Sequence, residues 1–261
     1  MSKAIPLTSD FMTLWTAQWQ VETRPLYLMA GDLVLVIERL LHEWQLGYSW
    51  QKLENQGHFQ AGFELNITKE CEHLSRIAVE CTSCTLKLIP KLADRPVVVR
   101  PYSPLTIPAN NKITLFVTTP LWVAVCLGGN TETEFPLQQL SETWMGALTG
   151  QGSLCYGSHT HARLDKSLLQ RLPYRAQTPV TIDNQSAESL TLERLSIPAP
   201  YLSLYQGNGQ LVTEPLYFSI EPKNHQGSIR IEKPDTNQRV SGAREKTEKG
   251  ILTSTWENLF A

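Results

Sequence analysis

The stretch RPYSPLTIPANNKITLFVTTPLWVAVCL, Arg100 to Leu127, is matched further along by RAQTPVTIDNQSAESLTLERLSIPAPYLSLY, Arg175 to Tyr205. Each begins with an arginine, then Ser/Thr-Pro and an apolar-Thr-Ile step. A polar turn, a Thr-Leu strand core, a proline and a second apolar strand follow. Arg100, Pro104, Thr106 and Ile107 fall without a gap on Arg175, Pro179, Thr181 and Ile182. A pattern repeated along one chain predicts two similar β units. It carries no chemistry of its own.

The rest of the chain supports strands. Trp15, Ala17, Trp19 and Val21 alternate with polar residues, as do Trp44, Leu46, Tyr48 and Trp50, and then Phe59, Ala61, Phe63, Leu65 and Ile67. Period-two alternation marks half-buried strands. Gly31-Asp32 reads as a turn, Lys52 to His58 as the link of a hairpin, and Gln206-Gly207-Asn208-Gly209 as a hairpin loop. Pro215 marks an edge or a bulge in the returning strand. Asp165 to Leu172 reads as a short helix capped by Asp165 and stopped by Pro173. Gly128-Gly129 and the acidic loop that follows, to Glu134, mark a boundary.

From Glu221 to Gly250 apolar residues are too sparse to offset the entropy of ordering, which predicts a flexible polar tail. At its end, in ILTSTWENLFA, the residues Leu252, Trp256, Leu259 and Phe260 recur at helical spacing, and Ser254 with Glu257 has capping-box spacing. A short apolar helix on a polar tether is the layout of a segment that docks on a protein partner. Packing back onto its own domain is the plainer alternative.

With 261 residues, 41% of them hydrophobic, the chain can build a real core. A formal charge of -2 gives no footprint for nucleic acid, although a local basic patch can hide within a neutral total. MSKAIPLTSDF has no signal-peptide h-region, and no apolar run approaches the ~20 residues that span a bilayer. Five irregularly spaced cysteines without an export signal read as free thiols. The expectation is a cytoplasmic protein with no membrane insertion and no cofactor.

Chemistry-bearing motifs are few. Cys71, His73, Cys81 and Cys84 have a superficial zinc spacing, but residues three apart in an unbroken strand face opposite sides, and no glycine supplies a knuckle. His159 and His161 share one face of a strand, in line with Cys155, opposite Leu154, Tyr156, Ala162 and Leu164 as core. The pair is similar to the metal site of jelly-roll cupins, without the supporting glutamate and glycine spacing. Two histidines fall short of the three or four ligands a metal needs. Cys155 and His159 lie too far apart along a strand for a nucleophile-base pair. No nucleophile elbow or phosphate loop is present, and no paired carboxylates suit glycoside chemistry. Trp15, Trp19, Trp44 and Trp50 fit core packing better than a sugar platform.

The motifs RPYSPLTIP at Arg100 to Pro108, TPLWV at Thr119 to Val123, TWMG at Thr143 to Gly146 and GSLCY at Gly152 to Tyr156 resemble those of an uncharacterised family, the domain of unknown function numbered 432. The resemblance covers about Arg24 to Glu221. It brings no catalytic residues, and it implies a soluble accessory protein of small-conductance mechanosensitive channels.

Together these readings predict an all-β protein with two related sandwich-like or jelly-roll-like units of antiparallel strands, 1–134 and 135–221. A flexible linker 222–250 and a docking segment 251–261 follow. The leading function is a non-enzymatic interaction protein whose anchors are Leu252, Trp256, Leu259 and Phe260. The alternative is a small-ligand or carbohydrate-binding sandwich with a metal at His159 and His161.

Overall fold

The computed structural model describes residues 11–51, 59–63, 71–79, 83–129, 131–146, 152–220, 226–247, 250–255 and 260. The chain is all-β apart from one six-residue helix and two 3-10 turns among the described residues. It divides into two compact units, but not at the expected boundaries. Unit 1 is Met1–Lys91 with Leu121–Gln139 and Leu172–Tyr174, and unit 2 is Leu92–Pro120, Leu140–Arg171 and Arg175–Ala261. None of the described helices is long and apolar enough to cross a membrane.

Unit 1 opens with α1 (Phe11–Thr16) and β1 (Gln18–Gln20), followed by β2 (Leu26–Ala30), β3 (Leu33–Arg39), β4 (Glu43–Trp50), β5 (Phe59–Gly62), β6 (His73–Ala78) and β7 (Thr85–Lys91). The chain then gives β8 (Val97–Pro101), β9 (Leu105–Ile107) and β10 (Asn111–Pro120) to unit 2. It returns to unit 1 for β11 (Trp122–Leu127) and β12 (Thr131–Pro136). Two antiparallel sheets result, in the orders β1-β7-β11-β12 and β5-β2-β3-β4-β6.

These sheets meet through the Tyr48 ring, 4.8 Å from that of Phe135, and through Trp50 Nε1, which donates to Pro136 O at 2.8 Å. Between them the alternating positions Leu26, Leu28, Leu33, Leu35, Ile37, Trp44, Leu46, Leu86 and Leu88 are buried. Burial of Trp15, Trp19 and Val21 matches the alternation, although Trp15 sits in α1 rather than in a strand. Lys52 to His58 lies outside the described residues. The strands flanking it do not form a hairpin, because β5 pairs with β2. Gly128-Gly129 turns the β11–β12 hairpin inside unit 1 and is not a boundary.

The Gly31-Asp32 turn joins β2 to β3, with Ala30 opposite Leu33. Gly31 has φ +62°, and a Cβ there would lie 2.4 Å from Leu137 O. The next residue fixes that approach, since Asp32 N donates to the same carbonyl at 2.8 Å.

Unit 2 continues with β13 (Ser141–Met145), β14 (Ser153–Ala162), β15 (Arg175–Asn184), β16 (Leu190–Leu192), β17 (Leu195–Ile197), β18 (Leu204–Gln206), β19 (Leu211–Thr213) and β20 (Leu216–Ile220). It ends with β21 (Gln226–Ile231), β22 (Arg239–Ser241) and β23 (Ile251–Thr255). The largest sheet runs β22-β18-β19-β15-β20-β21-β23, with β10 also paired to β15. A second sheet runs β13-β14-β8-β17, and β16 pairs β9. Most pairs are antiparallel, but β15 is parallel to β19 and β20, and β14 to β8.

The two matched stretches both begin in unit 2 and pair with one another. Thr106 faces Thr191, and its counterpart Thr181 faces Thr114. Ile107 faces Leu190, and its counterpart Ile182 faces Ile113. Each stretch therefore completes its first strand with the second strand of the other, instead of heading a unit of its own. Buried Asn184 ties the crossing. Its Nδ2 reaches Ile107 O, Pro108 O and Glu188 O at 3.1, 3.0 and 2.9 Å, while its Oδ1 accepts from Ser186 Oγ at 2.7 Å. Pro215 falls at a bulge, as expected. Pairing with β15 steps from Gln177–Val212 to Val180–Leu216, which leaves one extra residue on the β19–β20 side.

Residues 226–247, the described body of the segment 222–250, do not behave as the flexible tail expected of its composition. They supply β21 and β22, and Arg244 Nε donates to Leu92 O at 2.8 Å. Backbone ladders hold this polar segment in place, which apolar content alone does not register.

Gly31→Ala is expected to lower stability by about 2 kcal/mol or more, combining left-handed strain with the carbonyl contact. Urea unfolding measures it. A change below about 0.5 kcal/mol would mean that the turn does not abut Leu137.

Candidate functional site

Arg175, the first residue of β15, is only 4% exposed, so its charge must be met by hydrogen bonds. Its Nη2 donates to Thr118 O, Ser158 Oγ and Thr160 Oγ1, each at 2.9 Å, and its Nε donates to Thr118 Oγ1 at 3.2 Å. Thr160 Oγ1 also donates to Thr118 O at 3.0 Å. Ser158 and Thr160 are thereby drawn inward from β14 toward β10 and β15. The intervening His159 and His161 turn outward, and both are exposed.

An irregularity in β14 sets this orientation. Gly157 pairs with Val98 but His161 with Arg100, so four steps along β14 match two along β8. The buried side changes across that shift, from Cys155 before it to Ala162 after it. Strict alternation predicts Cys155 in line with the histidines, and Leu154 and Leu164 in the core. Instead Cys155 is fully buried beside Val98 and Met145, while Leu154 and Leu164 are exposed. Burial raises the Cys155 thiol pKa. The thiol is not presented with His159 as a nucleophile and base.

On the outer side, His161 meets the Tyr102 ring edge-on at 5.8 Å, and the Arg163 guanidinium lies 4.5 Å from the centroid of the same ring. Tyr102 is 71% exposed yet held between these two groups. Arg163 is fixed by a backbone bridge to Phe116, with N–H to O distances of 2.7 and 3.0 Å. The expected helix after it is a single 3-10 turn, Lys166–Leu168. Asp165 caps it as predicted, accepting from Ser167 N at 2.8 Å, and that hydrogen bond lowers the Asp165 pKa.

His159 and His161 are brought together on β14, but no group of three or more His, Cys, Asp and Glu suited to a metal occurs among the described residues. Cys71 precedes β6 and Cys84 precedes β7, in different sheets, and Cys81 lies outside the described residues. Of the four expected anchors, Trp256 and Leu259 also lie outside them. Leu252 is half-buried in β23, opposite Ile229. Phe260 is 1% exposed, its ring 5.4 Å from Phe218, and it bridges to Leu195.

The final segment thus begins as a strand, not a helix. Ile251, Thr253 and Thr255 are β-branched, and β21 offers an edge for pairing. Tyr102 is the surface neighbour of both His161 and Arg163. Arg163, two residues beyond His161, shares its face by alternation, but Tyr102 lies about sixty residues away and leaves no local signal.

Phe260→Ala is expected to destabilise the protein by about 3 kcal/mol, read from urea unfolding, because it empties a core position. No loss would return Phe260 to the surface. Cys155 is expected to resist alkylation in the folded protein and to react once unfolded. Rapid modification under native conditions would contradict its burial.

Compared with known proteins, the chain matches over residues 17–260 the family described as "Protein of unknown function (DUF432)", and it belongs to that family. The match runs past Glu221 through the last strands. No curated protein and no solved structure matches it.

Proposed function

We propose that this member of the DUF432 family is a non-enzymatic cytoplasmic accessory protein that binds a protein partner through the outer face of β14. The observation that carries the reading is the ordered cluster of Tyr102, His161 and Arg163. An aromatic ring left exposed but pre-positioned by a cation and an imidazole has little rotamer entropy left to lose on binding. Tyrosine and arginine are also the residue types in which interface energy concentrates. Burial of Phe260 removes that residue as a free anchor, which supports looking to this face for the binding surface. The family resemblance points to a small-conductance mechanosensitive channel as the partner.

Co-expression with such a channel, followed by affinity capture of the tagged full-length protein, tests this reading. Wild type is expected to retain the channel. Tyr102→Ala/Arg163→Ala is expected to recover about tenfold less of it with an unchanged melting transition. Equal recovery by the variant would remove this face from the interaction, and no recovery by either would remove the channel.

A second reading keeps the same face as a small-ligand or carbohydrate platform, with a metal on His159 and His161. The exposed rings of Tyr102 and Trp144 favour it. Stoichiometric metal in purified protein, lost in His159→Ala/His161→Ala, would select it.

A further inference from the structure

We propose that the group recognised by this face is an acidic peptide segment carrying apolar side chains. The proposal rests on the reading of β14 as the binding face. Its first support is charge. Residues 97–120 contain Arg100 and Lys112 and no acid, and residues 152–171 contain Arg163, Lys166 and Arg171 with Asp165 as the single acid. Register brings Arg100 beside His161, and Arg163 and His161 both touch Tyr102. Asp165 is turned to its own 3-10 cap, where it accepts from the Ser167 backbone at 2.8 Å.

On the far side, Leu195 pairs with Val99, which sets Arg194 one step on, toward Arg100, with exposed Glu193 preceding it. These two charges offset each other; at the opposite end Asp94 and Glu142 share Arg95, so the cationic part of the β8–β14 surface is the end at Arg100, His161 and Arg163. In a chain whose formal charge is -2, the basic residues are concentrated locally.

The second support is shape and apolar content. Along the chain just after Arg163, Leu164 is 57% exposed and Leu168 64% exposed. A compact phosphate or a nucleic-acid backbone has no use for them. A peptide that places carboxylates on Arg100 and Arg163 and aliphatic side chains on the leucines covers both. Arginine meets carboxylates with a planar fork of donors, and Tyr102 supplies a ring already stacked on one of those arginines.

The test uses the full-length protein and fluorescence anisotropy. The probe is a labelled short peptide of Glu and Asp residues interrupted by leucines, set against the same peptide with Gln and Asn in place of the acids. The acidic peptide is expected to bind, to weaken as salt is raised, and to exceed the neutral one by about tenfold or more. Arg100→Ala/Arg163→Ala is expected to abolish the difference with an unchanged melting transition. Equal binding of both peptides, no binding of either, or binding unaffected by the double substitution overturns the proposal. Tighter binding to an oligonucleotide or to anionic vesicles of phosphatidylserine also overturns it, in favour of a polyanion surface. If the peptide fails while channel capture still depends on Tyr102 and Arg163, only the acidic chemistry is wrong. If both fail, the face itself is.

Discussion

The ladder between β10 and β15 is the interaction on which unit 2 depends. It runs for ten consecutive antiparallel pairs, from Asn111 opposite Asn184 to Pro120 opposite Arg175. At one end Asn184 fastens the crossing of the two matched stretches by hydrogen bonds to Ile107 O and Pro108 O. At the other end Arg175 is buried against Thr118 and reaches across to Ser158 and Thr160. A buried polar group without partners is costly, so satisfying these two residues selects one register over its neighbours.

That register has a consequence at the surface. With Ser158 and Thr160 committed to Arg175, the opposite side of β14 carries His159 and His161. The bulge against β8 places His161 beside Arg100, where an unbroken register would have put His159. The outer face is therefore a by-product of inner hydrogen bonding. Its rigidity comes from the same source, because a side chain is only as well positioned as the strand beneath it. Tyr102, one residue beyond β8, inherits that placement and is held by Arg163 from the far end of β14.

Much of this was legible. The all-β class followed from alternation at Leu26 to Ile37 and Trp44 to Leu46, where one face is buried and the period of two is preserved. Family membership was legible in RPYSPLTIP, TPLWV, TWMG and GSLCY. Burial of Trp15, Trp19 and Trp44 was legible because large aromatic rings strongly favour the core. The Gly31-Asp32 hairpin was legible because a tight turn leaves a local signature. Alternation misled at β14, where an irregularity moved the buried side from Cys155 to Ala162. Composition misled at residues 226–231, where backbone pairing orders a polar segment. Helical spacing misled at Leu252, which lies in a strand because β21 presented an open edge.

Local pattern, turn residues and hydrophobic content lie within a few residues of one another, and from them the sequence by itself determined the all-β class, the hairpin at Gly31 and the absence of long apolar runs. Which strand pairs with which, the reciprocal exchange between the stretches beginning at Arg100 and Arg175, and the meeting of Tyr102 with His161 and Arg163 were decided only by the tertiary structure. Those outcomes depend on contacts between residues about sixty or more positions apart, and a strand's sequence constrains the face it buries far more tightly than the neighbour it takes.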